Sequence, residues 1–299
     1  MQFLSIKKDA RYFQIIFQLI FLLYGVLFLH WNAQWWLYST YFGISIVTQF
    51  TCELIFKKTT EKKLSAAWWK IFKAGIPSAI ISSLGLSLLL KTNLFYVAVF
   101  AAVVSILSKY LLRIKNKHIF NPSALGIVAA IFFTEKAWIS PGQWGSGAVL
   151  LFTVLILGFI INTKVQKLEV SIAFLASFGG LLFFRQIIYL GWPMDFFVHS
   201  VSTGSLLLFS FFMITDPKTT PNHKLVRIVW CIAIGAIAFY LATFKFMNGA
   251  PVFVLVLAQP LVPLLDYLFK AKKFEWKPSN IYLPREQQFL QHIYNNTSI

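Results

Sequence analysis

Two short polar strings break an otherwise apolar chain, and their residue types are those that hold polar ligands. They are Lys117-His118-Ile119-Phe120-Asn121-Pro122-Ser123-Ala124-Leu125-Gly126 and Phe212-Met213-Ile214-Thr215-Asp216-Pro217-Lys218-Thr219-Thr220-Pro221. In the first, Asn121 is placed to cap a helix opened by Pro122, whose missing N–H would be unpaired in a first turn anyway. Such a helix start aims N–H donors and a partial positive charge at an anion such as a phosphate. The same residues also suffice for an ordinary cap. In the second string, Asp216 precedes a proline and is driven out of helical geometry, which ends a helix there and suits an Asx turn. The stretch leading to it, His199, Ser200, Ser202, Thr203, Gly204 and Ser205, is unusually polar for an apolar run. Polar residues of that kind face a bundle interior and line pathways or sites.

The rest of the chain carries few other chemical groups of note. No HExxH, CxxC, GxGxxG or P-loop string is present, which leaves metallohydrolase, iron–sulfur and nucleotide-binding readings without motif support. Cys52 and Cys231 sit inside apolar runs without ligand spacing and read as packing thiols. Glu53, Asp195, His199 and Asp266 lie in or at the ends of apolar runs. A proton or cation relay is one role for them; reaching out to water is the commoner one.

The elements that must position the two strings belong in a bilayer. Hydrophobic residues make up 58% of the 299, charged residues only 12%, and mean hydropathy is +0.70, against a charged share of about 25% in soluble domains. Apolar stretches predict an all-α polytopic membrane protein with ten spans, at about 12–29, 36–56, 71–90, 94–112, 120–134, 145–162, 168–189, 195–214, 225–245 and 251–269. The fifth is short for a crossing, and Pro260 and Pro263 predict a kink or break in the tenth. The first run has no A-x-A site and is expected to remain as an anchor.

The net charge of +17 sits in the gaps between apolar runs, a topology signal rather than a nucleic-acid surface. Ten spans gather all of the 27 lysines and arginines on one side except Lys91, Lys136, Arg185 and Lys245. The Lys/Arg-rich side is cytoplasmic. Both termini, the 270–299 tail and both polar strings are therefore expected there, the strings sharing one vestibule of an inner-membrane protein.

Spans one to five lay over spans six to ten as two repeats, about 12–134 and 145–269, inverted because five is odd. Pro77-Ser78-Ala79 through Gly85 then corresponds to His199 through Ser205, and Asn121-Pro122-Ser123-Ala124 to Asn248-Gly249-Ala250-Pro251. Inverted repeats place sites at their interface beside interrupted helices, although small residues also serve close helix packing alone.

With these strings and Pro77-Ser78-Ala79, the chain resembles the NqrB/RnfD family: the RnfD membrane component of Rnf electron-transport complexes and its relative NqrB in the sodium-translocating NADH:quinone reductase. Ser140-Pro141-Gly142-Gln143-Trp144-Gly145 is closer to a branch found in enediyne biosynthesis clusters. The resemblance implies a ten-helix inverted-repeat fold, flavin cofactors that relay electrons, and partner redox subunits. Redox members carry a Ser-Gly-Ala-Thr string whose threonine is esterified to flavin mononucleotide. Here the string is Ser146-Gly147-Ala148-Val149, and valine has no hydroxyl to esterify. The expectation is a flavin, FMN or riboflavin, held without a covalent bond. Its candidate binding residues are Asn121, Pro122, Ser123, Gly126, Thr203, Gly204, Ser205, Thr215, Asp216 and Thr219. The alternative is a transporter or channel-like carrier in which the repeat interface forms a path and no electrons move.

Overall fold

The structure, a computed structural model, describes residues 10–31, 34–58, 68–114, 117–140 and 167–271. The expected sixth span and the Ser146-Gly147-Ala148-Val149 string lie outside the described residues. The described chain is mostly helical. Five helices come first: α1 (Ala10–Leu27), α2 (Trp35–Lys58), α3 (Trp68–Leu89), α4 (Phe95–Leu111) and α5 (Pro122–Thr134). Then follow α6 (Leu168–Phe183), which runs on as a π-helical segment Phe184–Tyr189, and α7 (Met194–Val201). Next is α8 (Gly204–Leu208), which continues as a π-helical segment Phe209–Met213, and then α9 (Lys224–Phe244). Last are α10 (Ala250–Ala258), a 3-10 turn Gln259–Leu261 and α11 (Val262–Leu268). Two small antiparallel ladders tie loops together: β1 (Leu90–Thr92) with β4 (Ala137–Ile139), and β2 (Arg113–Ile114) with β3 (Lys117–His118).

The distribution of large and small residues is that of a membrane bundle. Phe132 and Phe133 of α5 are 70% and 73% exposed, while Ser123, Ala124, Gly126, Ala129 and Ala130 of the same helix are buried. Small residues inside and large apolar ones outside let backbones approach closely and present hydrocarbon to lipid. A Cβ on Gly126 would meet the Ala101 carbonyl oxygen at 2.7 Å, so α4 and α5 touch backbone to backbone. Leu168–Tyr189, Lys224–Phe244 and Ala250–Leu268 are each long and apolar enough to cross a membrane.

Three of the expected spans are bent, short or interrupted. The stretch 195–214 is two helices bent by 48° rather than one. The Ser202 hydroxyl donates back to the Val198 carbonyl at 2.6 Å, Thr203 is extended, and Gly204 restarts the helix, so the polar strip itself makes the break. α5 has 13 residues, about 20 Å at 1.5 Å per residue, well short of a 30 Å hydrocarbon core. The tenth run is interrupted at Gln259–Leu261, beside Pro260, as the two prolines predict.

Candidate functional site

The start of α5 is fastened on three sides by Asn121. Its Oδ1 accepts from the Ala124 N–H at 3.1 Å and from the Ser123 hydroxyl at 2.9 Å, which is the N-cap. Its Nδ2 donates to the Met213 carbonyl at 3.2 Å, and its own N–H donates to Gln259 Oε1 at 3.0 Å. The cap thus joins the start of α5, the end of the π-helical segment and the break after α10. Beneath it a Cβ on Gly85 of α3 would meet the Ser123 side chain at 2.8 Å, so α3 presses directly on the first turn.

The second string forms the opposing turn. Asp216 Oδ1 accepts from the Lys218 N–H at 3.0 Å, an Asx turn, and Oδ2 lies 3.6 Å from His118 Nε2 of β3. Burial alone would raise the Asp216 carboxyl. His118, 3.6 Å away, together with the Lys218 N–H and ammonium, outweighs it and holds the group below its ordinary value. Burial acts the other way on Lys218 and lowers its ammonium, against the pull of Asp216. Thr215 donates to the Phe211 carbonyl at 2.7 Å.

Between these turns lies a cleft with about 870 Å³ of space between atoms, part of it open to the surroundings. Both strings wall it: His118, Asn121, Pro122 and Ser123 on one side, and Phe211 through Met213 with Thr215 through Lys218 on the other. Ser78 and Ser82 of α3 form its floor, and Arg11, Gln14 and Gln18 of α1 close it. The α1 residues escaped the sequence reading. Two glutamines four apart in an apolar run were the signal for them. His118 and Lys218 also line a neighbouring cleft with Lys117, Asp266 and Lys270, in which Lys117 Nζ bonds Asp266 Oδ2 at 2.8 Å.

Not every candidate meets there. Thr203 and Ser205 line a second cleft, with about 700 Å³ of space between atoms and part of it open to the surroundings, together with Ser200, Phe178 and the Asn248-Gly249-Ala250-Pro251 turn. α3 reaches from one cleft to the other, Ser78 in the first and Leu89 in the second, which sets them about 16 Å apart along its axis. Gly204 is buried at the start of α8, next to the second cleft. Gly126 serves the α4–α5 contact. Thr219 is buried with its N–H on the Asp216 carbonyl at 3.1 Å, closing the turn. None of these last three lines the first cleft.

Comparison with known proteins agrees with the residues. The family model described as the NQR2, RnfD, RnfE family matches residues 137–275. The D-type subunit of an ion-translocating oxidoreductase complex from Erwinia tasmaniensis is 30% identical over 147 residues, 49% of this chain and 38% of that protein. Its counterpart in Stutzerimonas stutzeri is 27% identical over 142 residues, 45% of this chain and 38% of the relative. That of Buchnera aphidicola is 28% identical over 120 residues, 39% of this chain and 33% of the relative. The chain thus spans less than two fifths of the length of these relatives. The likeness to the NQR2, RnfD, RnfE family thus covers residues 137–275, a little under half of the chain.

Proposed function

We propose that the chain is an integral membrane subunit for flavin-linked electron transfer, working with partner redox subunits. The observation that carries this reading is the first cleft. Two strings some ninety residues apart in the chain are locked together by the Asn121–Met213 bond to wall one polar-and-aromatic slot. Phe211, Phe212 and Met213 offer an apolar wall of the kind a flat ring system stacks on. Ser82, Ser123 and the Gln18 amide offer polar atoms, and His118 and Lys218 sit at the rim. A flavin fits this donor set, and Asn121 orients the walls rather than the ligand, since its own polar atoms are engaged by protein. When bound, a flavin supplies a carrier that accepts electrons singly or in pairs. The relatives are named as one subunit of an ion-translocating oxidoreductase complex, which supports both the redox role and the partner subunits. Val149 supports non-covalent retention.

The reading includes ten spans in two inverted repeats, 12–134 and 145–269, with a 270–299 tail, both termini on the cytoplasmic side of a bacterial inner membrane. Packing in the two halves supports the repeat. α2 lies along α4 as α6 lies along α9, the second and fourth spans of each half. The clefts correspond as well. Ser78, Ser82 and Asn121-Pro122-Ser123 build the first, and Ser200, Thr203, Ser205 and Asn248-Gly249-Ala250-Pro251 build the second. That second polar cleft, at the far end of α3, also favours a carrier reading in which solute passes along the repeat interface. Flavin content separates the two. Asn121→Ala and Asp216→Ala should lower flavin retention in folded protein. Unchanged content in both would defeat the site assignment, and solute binding by colourless protein would favour the carrier.

A further inference from the structure

Gln18 is a polar side chain that the fold does not use. Arg11, Gln14 and Gln18 share one face of the otherwise apolar α1, three and four residues apart, and all three line the first cleft. Gln18 is only 5% exposed, yet its Oε1 has no donor among the described residues. Native folds rarely leave a buried acceptor in this condition, because it has lost its water for nothing. Phe21, one turn further on, is wedged edge-on against Phe212 of the opposite wall at 5.7 Å between ring centres, which fixes α1 over the cleft.

We propose that Gln18 is the recognition residue of the first cleft, pairing its amide with a ligand edge that carries an N–H beside a C=O. A primary amide holds one acceptor and two donors side by side and pairs at two points with a lactam or imide. The isoalloxazine ring has such an edge, an N–H between two carbonyls. An oxidised quinone has carbonyls alone and would leave Oε1 unpaired. Gln18 therefore selects an imide-bearing ring over a quinone. This rests on the flavin reading of the cleft, and it adds which ring edge lies against α1.

The test uses full-length protein in detergent, stripped of endogenous flavin and titrated with riboflavin and N3-methylriboflavin by fluorescence quenching. The wild type should bind riboflavin about tenfold tighter or more, the effect of one buried acceptor left unpaired. Gln18→Met should bind both ligands alike, at the wild type's weaker level, and Gln14→Met should keep the discrimination. Equal wild-type affinities would overturn the Gln18 role, as expected if water fills the amide, while leaving flavin binding intact. Failure to bind either ligand would overturn both readings. If Gln18→Met does not fold, the wild-type comparison alone still decides.

Discussion

Replacing Asn121 with alanine tests the way the two strings are joined. The substitution removes the cap on the Ala124 N–H and the bond from Nδ2 to the Met213 carbonyl, and leaves the backbone bond to Gln259 in place. Loss of an Asn cap costs about 1 kcal/mol. Loss of one buried bond between elements of a membrane bundle costs about 1 kcal/mol more. Asn121→Ala should therefore lose about 2 kcal/mol, roughly a thirtyfold shift in the folded-to-unfolded ratio. Asn121→Ser keeps a capping hydroxyl and loses only the Met213 bond, so it should fall about halfway. Thermal unfolding of purified protein in detergent, followed by tryptophan fluorescence, reads both variants. An alanine variant as stable as wild type would refute the claim that this side chain ties α5 to the second string. Equal losses for serine and alanine would show that the cap contributes nothing.

Gly126→Ala must move either the Ala101 carbonyl or α5 itself, because the added Cβ would sit 2.7 Å from that oxygen; the same unfolding assay should show a loss of about 1–3 kcal/mol. The carboxyl of Asp216, held low by His118 and Lys218, contributes stability that is present above its unfolded value and lost as pH falls through the folded one. Acidification below about pH 4 should thus loosen the 215–221 turn, seen as faster proteolysis there, and Asp216→Asn should remove that pH dependence. Lys167 precedes α6 and is pushed down to about 8, first by burial and then by Arg227. The unfolded chain then binds the extra proton between that value and the ordinary lysine one of about 10.4. Stability should accordingly rise with pH across that window, and Lys167→Met should flatten the rise in a pH series of melting curves.

Much of this architecture was legible because a bilayer leaves few options. Among the described residues the apolar runs are helices, Pro122 opens α5 with Asn121 as its cap, and Pro260 lies in the break of the last run. The lysine and arginine asymmetry raised the expectation that Asn121 and the 212–221 string share a vestibule, and the two do wall one cleft, although the asymmetry does not say which helices touch. Three features were out of reach for physical reasons. The bend at Ser202-Thr203 depends on a hydroxyl that bonds either backward along its helix or across to a neighbour, and the sequence does not choose. Thr203 and Ser205 therefore looked like parts of the same site as Asn121, although α3 separates the two groups by several turns. Gly126 and Thr219 sat within the strings and so resembled ligand contacts, yet one packs helices and the other closes a turn. Gln14 and Gln18 carried a visible signal, two amides on one face of an apolar helix, but their value depends on what α1 packs against.

The central claim, a flavin held without a covalent bond in the first cleft, is tested most directly by the absorbance spectrum of the gently purified protein before and after denaturation. The account predicts oxidised-flavin bands that stay with the folded protein and leave it entirely on acid precipitation, and that are reduced in Asn121→Ala and Asp216→Ala. A colourless protein that also takes up no added FMN or riboflavin would contradict it.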